Sequence, residues 1–249
     1  MHSEKSTCLS EAEFERIRGD LRDFYPTLHI LTKRSDTTEV FGCFPVLDSE
    51  SKLLDNYRVS IFLPASYPAS LPIVYEVGGR IPKIADRHIF DDGSACVFYP
   101  DDRWRCFPIG APFIDYLNGP LRNYFLSQTY YERNGEWPFG EWSHGDAGVI
   151  EYYQQLIEAQ DIGTVINFLF VLADKKIRKQ HDCPCGSEKT IKNCCLLKIR
   201  DLRKKIDSFT AIRALDNLYT AQMYRRYVHL IKTRHLAALG VGNRRQRAC

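Results

Sequence analysis

The chain has 249 residues, of which 44% are apolar and 12% aromatic, so it can bury a core and is not a disordered polymer. Its longest apolar run falls far short of the roughly 20 residues that a membrane helix needs, and the N-terminus lacks the apolar segment of a signal peptide. We therefore expect a cytoplasmic protein with no membrane partner. In that compartment its nine cysteines would serve metal binding or catalysis rather than disulfides.

The net charge of +3 conceals a strong division along the chain. Residues 1–174 carry 15 Lys and Arg against 26 Asp and Glu, whereas residues 175–249 carry 19 against 5. This asymmetry predicts two units with different partners. The basic part would contact nucleic acid, an acidic protein surface or the acidic first unit, or else form a merely solvated pair of helices. Nucleic acid is not the favoured partner.

The first elements predict an α+β fold. A capping box at Ser10–Glu13 and apolar residues at helical spacing predict a helix over residues 11–24. Alternation of apolar and polar residues between polar turns then predicts an antiparallel meander. Its four strands are expected at residues 28–32, 39–47, 56–63 and 73–77.

Helical spacing returns after the cysteine-bearing segment that follows the strands. A helix is expected from Phe113, with a break at residues 118–120 and a further helix through Phe125, before a Trp-rich loop at residues 135–145. Helices are also expected at residues 148–180 and 196–239. We place the domain boundary between residues 147 and 148, which gives a first domain over 1–147 and a basic helical region over 148–249.

Four cysteines lie between these last two helices, as two close pairs. They are Cys183, Cys185, Cys194 and Cys195. Four thiolates at this spacing can close a tetrahedral site, and zinc is the metal expected for it. The alternative is a set of unrelated cysteines. With four protein ligands and no open position, such a site would be structural or partner-binding rather than catalytic.

The segment 183–195 resembles the SEC-C zinc motif, a small binding knuckle known from the C-terminus of the SecA translocation motor and from many bacterial proteins. The resemblance implies that Cys183, Cys185 and Cys194 take the usual ligand positions. It gives the fourth position, which is Cys or His in that family, to Cys195. The motif indicates a module and leaves the function of the whole chain open.

The segment from Arg87 to Phe98 is the most informative stretch of the chain. Cys96 follows an Asp91-Asp92-Gly93 turn and is placed as a surface nucleophile would be. The neighbouring carboxylates, including Asp101 and Asp102, are expected to disfavour the thiolate. Either one could orient or deprotonate an incoming amine, although a solubilising turn residue is the more frequent role of a single aspartate.

The order of these features resembles the ubiquitin-conjugating enzyme family over about residues 10–130. The shared features are a first helix, a meander, a Tyr67-Pro68…Pro72 turn, a cysteine, Trp104 about eight residues after it, and helices. Residues 119–125 and the Trp-rich loop look like the prokaryotic branch, which occurs in bacterial anti-phage operons of the CBASS type. The resemblance implies a ubiquitin-conjugating fold and a transferase that carries an acyl group as a thioester on Cys96.

One departure concerns the His-Pro-Asn motif of the eukaryotic members, whose Asn stabilises the oxyanion. His88, eight residues before Cys96, is the residue that we expect in its place, since an imidazole can donate a hydrogen bond. His144 in the Trp-rich loop is a second candidate imidazole, with loop packing as its alternative role. Trp104 is expected to support the site, and Cys106 to be an inert thiol or a second thiol in the cleft.

Three functions follow as hypotheses. The first is a carrier that accepts a ubiquitin-like protein or a protein C-terminus, from an activating enzyme where one exists, and transfers it to an amine. By family analogy, a cyclic-nucleotide synthase is its expected partner if the genes are adjacent. The second is a catalytically silent scaffold on the same fold. The third is an adapter whose zinc knuckle and basic tail bind a protein or nucleic acid.

Overall fold

The computed structural model describes residues 9–33, 37–138 and 146–218. The chain divides into two compact units, residues 1–141 and residues 142–249. The first unit combines a four-stranded antiparallel sheet with helices, and the described part of the second contains helices joined by short turns. The predicted α+β class is thereby confirmed.

The first unit begins with helix α1, Glu11–Phe24, and its start follows from the sequence. The Ser10 hydroxyl accepts a hydrogen bond from the Glu13 amide at 3.2 Å, as the capping signal predicts. The helix buries Ile17 and Leu21, one turn apart, toward the sheet core.

Four strands follow, each paired antiparallel with the next in chain order. The apolar face predicted for the third strand is confirmed, because Tyr57, Val59, Ile61 and Leu63 are at most 1% exposed, although Ser60 on the opposite face is buried as well. The predicted meander is therefore correct, with small shifts at the strand ends. The strands are β1 Leu28–Lys33, β2 Thr37–Leu47, β3 Leu53–Pro64 and β4 Ile73–Glu76.

After β4 the chain runs through short turns into a long helical stretch. Two single turns of 3-10 helix occupy Ala85–Arg87 and Pro100–Asp102. The α-helices of this part are α2 Arg103–Cys106, α3 Phe113–Tyr116 and α4 Arg122–Asn134.

The predicted helix break at residues 118–120 is wrong. A π-helical turn, Leu117–Leu121, joins α3 directly to α4 and contains Pro120. Proline has no amide hydrogen to donate, and a wider turn accommodates this locally without ending the helix. The stretch buries Phe125, whose ring centroid lies 4.5 Å from that of Tyr57 on the sheet.

The second unit departs from the two long predicted helices. The stretch predicted at 148–180 contains two helices, and the stretch at 196–239 is interrupted after Lys205, while its residues beyond 218 lie outside the described part. Asp161 starts a new helix by accepting hydrogen bonds from the amide and hydroxyl of Thr164, at 2.9 and 2.7 Å. The helices are α5 Asp146–Ile157, α6 Ile162–Ala173, α7 Leu196–Lys205 and α8 Ser208–Leu218.

Within the described ranges, no single helix is long and apolar enough to cross a membrane. The segments Ala147–Ile157 and Ile162–Ala173 together reach the required length and composition, but they meet at an angle of 75°. Six residues of α6 are buried, as expected of a helix that supplies the core of this unit.

Candidate functional site

Cys96 lies at the end of an irregular hairpin attached to β4. The amide of Cys96 donates to the carbonyl of His88 at 2.8 Å, and the amide of Phe90 donates to the carbonyl of Ser94 at 2.8 Å. The amide of Ala95 donates to the carbonyl of Val74 in β4 at 2.7 Å. The backbone around the thiol is therefore fixed on both sides.

The turn of this hairpin lies at Asp91-Asp92-Gly93, where the sequence predicts it. Gly93 has a φ of 83° and donates to the carbonyl of Phe90 at 2.8 Å. The Asp92 carboxylate accepts from the hydroxyl and the amide of Ser94, at 2.6 and 2.9 Å, and these bonds lower the pKa of Asp92. Asp92 thus shapes the turn, while Asp91 is exposed.

The Cys96 thiol is partly exposed and lines a pocket of about 160 Å³. Its sulfur lies 3.9 Å from the carbonyl oxygen of Phe98. The proline-containing turn at residues 67–72, which follows β3, supplies part of the wall, and the buried Tyr116 contributes another part. The walls are mostly apolar, and their residues include Leu71, Pro72, Phe90, Val97, Phe98 and Tyr116.

His88 holds the cysteine segment through its backbone, and its ring packs on an aromatic neighbour. It adopts a left-handed conformation, with φ of 51°, at the end of the turn Ala85–Arg87. Its ring centroid lies 4.7 Å from that of Trp137. The expected role of the imidazole at an oxyanion stays a prediction.

A buried polar group on α4 holds the same segment from behind. Gln128 is fully buried, accepts from the Arg87 guanidinium at 2.9 Å and donates to the Arg87 carbonyl at 2.8 Å. The Tyr124 hydroxyl lies 3.4 Å from the carbonyl oxygens of Arg87 and His88. Sequence reasoning did not select Gln128. The available signal was an amide side chain on the apolar face of a predicted helix.

The two aspartates after Cys96 are buried rather than solubilising. Asp101 is 4% and Asp102 is 6% exposed, and both lie in the 3-10 turn that follows the pocket residues. The hydroxyl of Tyr99 donates to Asp101 at 3.1 Å, and Asp102 pairs with Arg105. Their predicted action on an amine stays a prediction, and it would have to compete with these bonds.

The remaining supporting candidates fall in different places. Trp104 is partly buried in α2. This helix is bonded to the proline-containing turn at residues 67–72, because Arg103 donates to the carbonyls of Pro68 and Ala69. The Tyr67–Pro68 bond in that turn is cis. His144 lies outside the described residues.

Cys106 has the environment of an inert thiol. Its sulfur lies 3.3 Å from the Asp102 carboxylate. Burial, and then the charge of Asp102, raise its pKa to about 12. The interpretation of Cys106 as inert is therefore favoured over that of a second reactive thiol.

The second cysteine group forms one cluster in the second unit. The four sulfur atoms of Cys183, Cys185, Cys194 and Cys195 all lie within 4.8 Å of one another, and the nearest pairs are 3.4 to 3.7 Å apart. A tetrahedral site with metal–sulfur bonds of about 2.3 Å places its sulfurs about 3.8 Å apart. The cluster can therefore hold a metal ion.

Local backbone structure explains how the four sulfurs meet. Gly186, with φ of 77°, donates to the carbonyl of Cys183 and closes a tight turn around the first pair. The amide of Cys183 donates to the carbonyl of Lys189 at 2.8 Å, which brings the chain back. The second pair follows the 3-10 turn Ile191–Asn193, and Cys195 directly precedes α7.

Comparison of the chain with protein-family models, with curated proteins and with solved structures finds no match.

Proposed function

We propose that the protein is a cysteine acyl carrier of the ubiquitin-conjugating type, with Cys96 as the carrier thiol. The observation that carries the proposal is the partly exposed thiol at the rim of an apolar pocket, on a hairpin attached to the last strand of a four-stranded meander. A first helix, this meander, the cysteine segment and then helices occur in the order of that family.

The reaction would have two steps. The Cys96 sulfur attacks the carbonyl carbon of a donor thioester, a new carbon–sulfur bond forms, and the bond to the donor's sulfur breaks, with the proton of the Cys96 thiol passing to the departing thiolate. An amine nitrogen then attacks the same carbon, a carbon–nitrogen bond forms, and the Cys96 thiolate leaves. The amine proton passes to a nearby base. The donor is a ubiquitin-like protein or a protein C-terminus.

The surrounding residues would divide the remaining tasks. The pocket walls exclude water from the thioester, and the His88 carbonyl, which accepts from the Cys96 amide, orients the carrier segment. The His88 imidazole is the proposed oxyanion donor. Asp101 or Asp102 is the proposed acceptor of the amine proton.

We propose zinc for the cysteine cluster of the second unit. Four thiolates suit this metal, and a site without an open position supplies structure rather than chemistry. Cys183, Cys185, Cys194 and Cys195 would hold the ion and stabilise the turn that connects them to α7. The site would thereby present a rigid surface to a partner.

The test combines the full chain with an activating enzyme and a ubiquitin-like protein encoded beside it. We expect an adduct that thiol reductants cleave, present in the wild type and in Cys106→Ala but lost in Cys96→Ala. The Cys106 variant is a matched control, because it removes a neighbouring thiol from the same unit. Equal adduct formation by the wild type and Cys96→Ala would sink the proposal.

A silent scaffold on the same fold is the second candidate, and one observation favours it. The His88 ring packs 4.7 Å from the Trp137 ring, as a structural residue would. For a scaffold, Cys96→Ala would retain full biological activity while binding the same partner.

A further inference from the structure

Much of the basic charge of the second unit lies in the segment that contains its cysteine cluster. Residues 174–205 carry eleven lysine and arginine side chains against four acidic ones, a net charge of +7. A zinc site with four thiolates has a charge of about −2, which still leaves a surplus of about +5. The stretch begins directly after α6 and comprises the cysteine hairpin and α7.

Part of this charge is already committed within the unit. Arg178 pairs with Asp174 at 2.9 Å, Lys198 with Glu158 at 3.0 Å, and Lys205 with Asp201 at 2.7 Å. Arg203 donates to backbone carbonyls, among them that of Val171 at 2.9 Å. These four side chains stabilise the fold and are poorly placed to bind a partner.

Seven others are exposed and have neither a hydrogen bond nor an ion pair from their side chains to any described residue. They are Lys175, Lys176, Lys179, Lys189, Lys192, Arg200 and Lys204. Unpaired like charges repel one another, so this arrangement costs stability unless an anionic partner offsets it. It is the feature of the second unit that the zinc site does not explain.

Five of the seven lie on the cysteine hairpin or on α7, which directly follows Cys195, and we call them the knuckle surface: Lys179, Lys189, Lys192, Arg200 and Lys204. The amide of Lys192 donates to the carbonyl of Lys179 at 2.9 Å, so these two residues are neighbours across the hairpin. The carbonyl of Lys189 accepts from the amide of Cys183. Arg200 and Lys204 lie one turn apart on α7, which places them on one helix face.

We propose that the knuckle surface binds the phosphate backbone of nucleic acid. Its five cations match the phosphate backbone, which carries one negative charge per about 1.7 Å of duplex axis, and lysine binds phosphate oxygens as a point charge. A membrane partner fits less well, since Leu197 is the single large apolar side chain of α7 exposed beside these cations. Binding is expected to be independent of base sequence.

This inference does not depend on Cys96, so its failure would leave the proposed acyl transfer unaffected. It adds a second activity to the chain, in which the metal site holds the hairpin and the lysines neutralise phosphates. Nucleic acid, which charge alone did not favour, becomes the favoured partner because these side chains are exposed and have no ion pair with any residue that the structure describes.

The test measures binding of the full, zinc-loaded chain to a fluorescent single-stranded DNA of 20 nucleotides and to a duplex of the same length. With five phosphate contacts, the slope of log affinity against log salt concentration is expected to be about −3.5 for the single strand. The variants Lys179→Glu/Lys192→Glu and Arg200→Glu/Lys204→Glu should each lower the affinity about tenfold and make the slope shallower by about 1.4.

The matched control is Lys52→Glu/Lys83→Glu, two exposed lysines of the first unit whose replacement changes the net charge equally. It should retain the affinity within about twofold, in contrast to the knuckle variants. Metal analysis checks that each knuckle variant keeps its zinc, and the α7 variant lies outside the hairpin. The proposal is overturned if affinity is insensitive to salt or if the control weakens as much as the knuckle variants. It also fails if anionic vesicles or polyglutamate bind as tightly as DNA at equal charge.

Discussion

The hairpin of Cys96 and the knuckle of Cys183–Cys195 have the same kind of glycine turn but bring together different numbers of sulfur atoms. Each is a short antiparallel segment that turns at a glycine with positive φ, Gly93 at 83° and Gly186 at 77°. In the first, a single sulfur borders an apolar pocket, whereas in the second four sulfurs lie within 4.8 Å of one another. The number of sulfurs within reach, rather than the backbone, separates the proposed carrier thiol from the proposed metal ligands.

The largest effect is expected from loss of the metal. Zinc binding to small structural sites contributes on the order of 10 kcal/mol to folding, so Cys183→Ser or a strong chelator should unfold the hairpin. Hydrogen exchange should accelerate at the amides of Cys183 and Ile191, which are bonded across the hairpin. The amide of Cys96 in the first unit should keep its protection.

The control is Cys96→Ser, which should leave exchange in the knuckle unchanged. If zinc removal left the amides of Cys183 and Ile191 as protected as before, the cluster would not be a structural metal site, and the comparison of the two hairpins would fail.

A smaller effect is expected from the polar group behind the Cys96 hairpin. Gln128→Leu removes the side-chain oxygen that accepts from the Arg87 guanidinium and the side-chain nitrogen that donates to the Arg87 carbonyl. Leaving buried donors and acceptors unsatisfied costs about 1–3 kcal/mol. The loss should appear as a lower free energy of unfolding of the first unit in urea.

Asn123→Leu on the exposed face of the same helix serves as the control, with an expected change within about 0.5 kcal/mol. Equal stability of Gln128→Leu and the wild type would show that Arg87 and the Cys96 hairpin do not depend on the hydrogen bonds of Gln128.

The smallest effect is a difference in pH dependence between two thiols of the first unit, Cys96 and Cys106. With a pKa of about 12, only about one in ten thousand Cys106 thiols is ionised at pH 8. Iodoacetamide should therefore modify Cys96 first, and the modified fraction of Cys106 should rise only as the pH approaches 12. Mass spectrometry of peptides measures both, with the exposed Cys43 as a reference.

Asp102→Asn should increase the modification of Cys106, because removal of the carboxylate charge lowers the pKa of the thiol. Modification of Cys106 as fast as that of Cys96 at pH 8 would remove the distinction between them.

Local patterns in the sequence were sufficient for much of the first unit. The cap at Ser10 and the buried apolar face of β3 depend on neighbouring residues, and both predictions are confirmed. The spacing of the two close cysteine pairs likewise predicted a metal site. The structure brings their four sulfur atoms within 4.8 Å of one another, close enough to hold a metal ion.

Features that depend on distant residues could not be predicted in the same way. The helix continues through Pro120 because a π turn accommodates it, which no local propensity indicates. The packing of His88 on Trp137 and the bonds of Gln128 to Arg87 join residues more than 40 positions apart. The burial of Asp101 could not be predicted, because its neighbours in the sequence are polar and suggest an exposed turn.

The measurement that tests the central claim most directly is the chemistry of the adduct on Cys96. Cys96→Ser should convert the thioester into an oxyester that survives thiol reductants and is cleaved by alkali, with the modified peptide mapped by mass spectrometry. The account predicts that position 96 carries the acyl group in both proteins. An adduct on any other residue, or none on the wild type with an active donor, would contradict it.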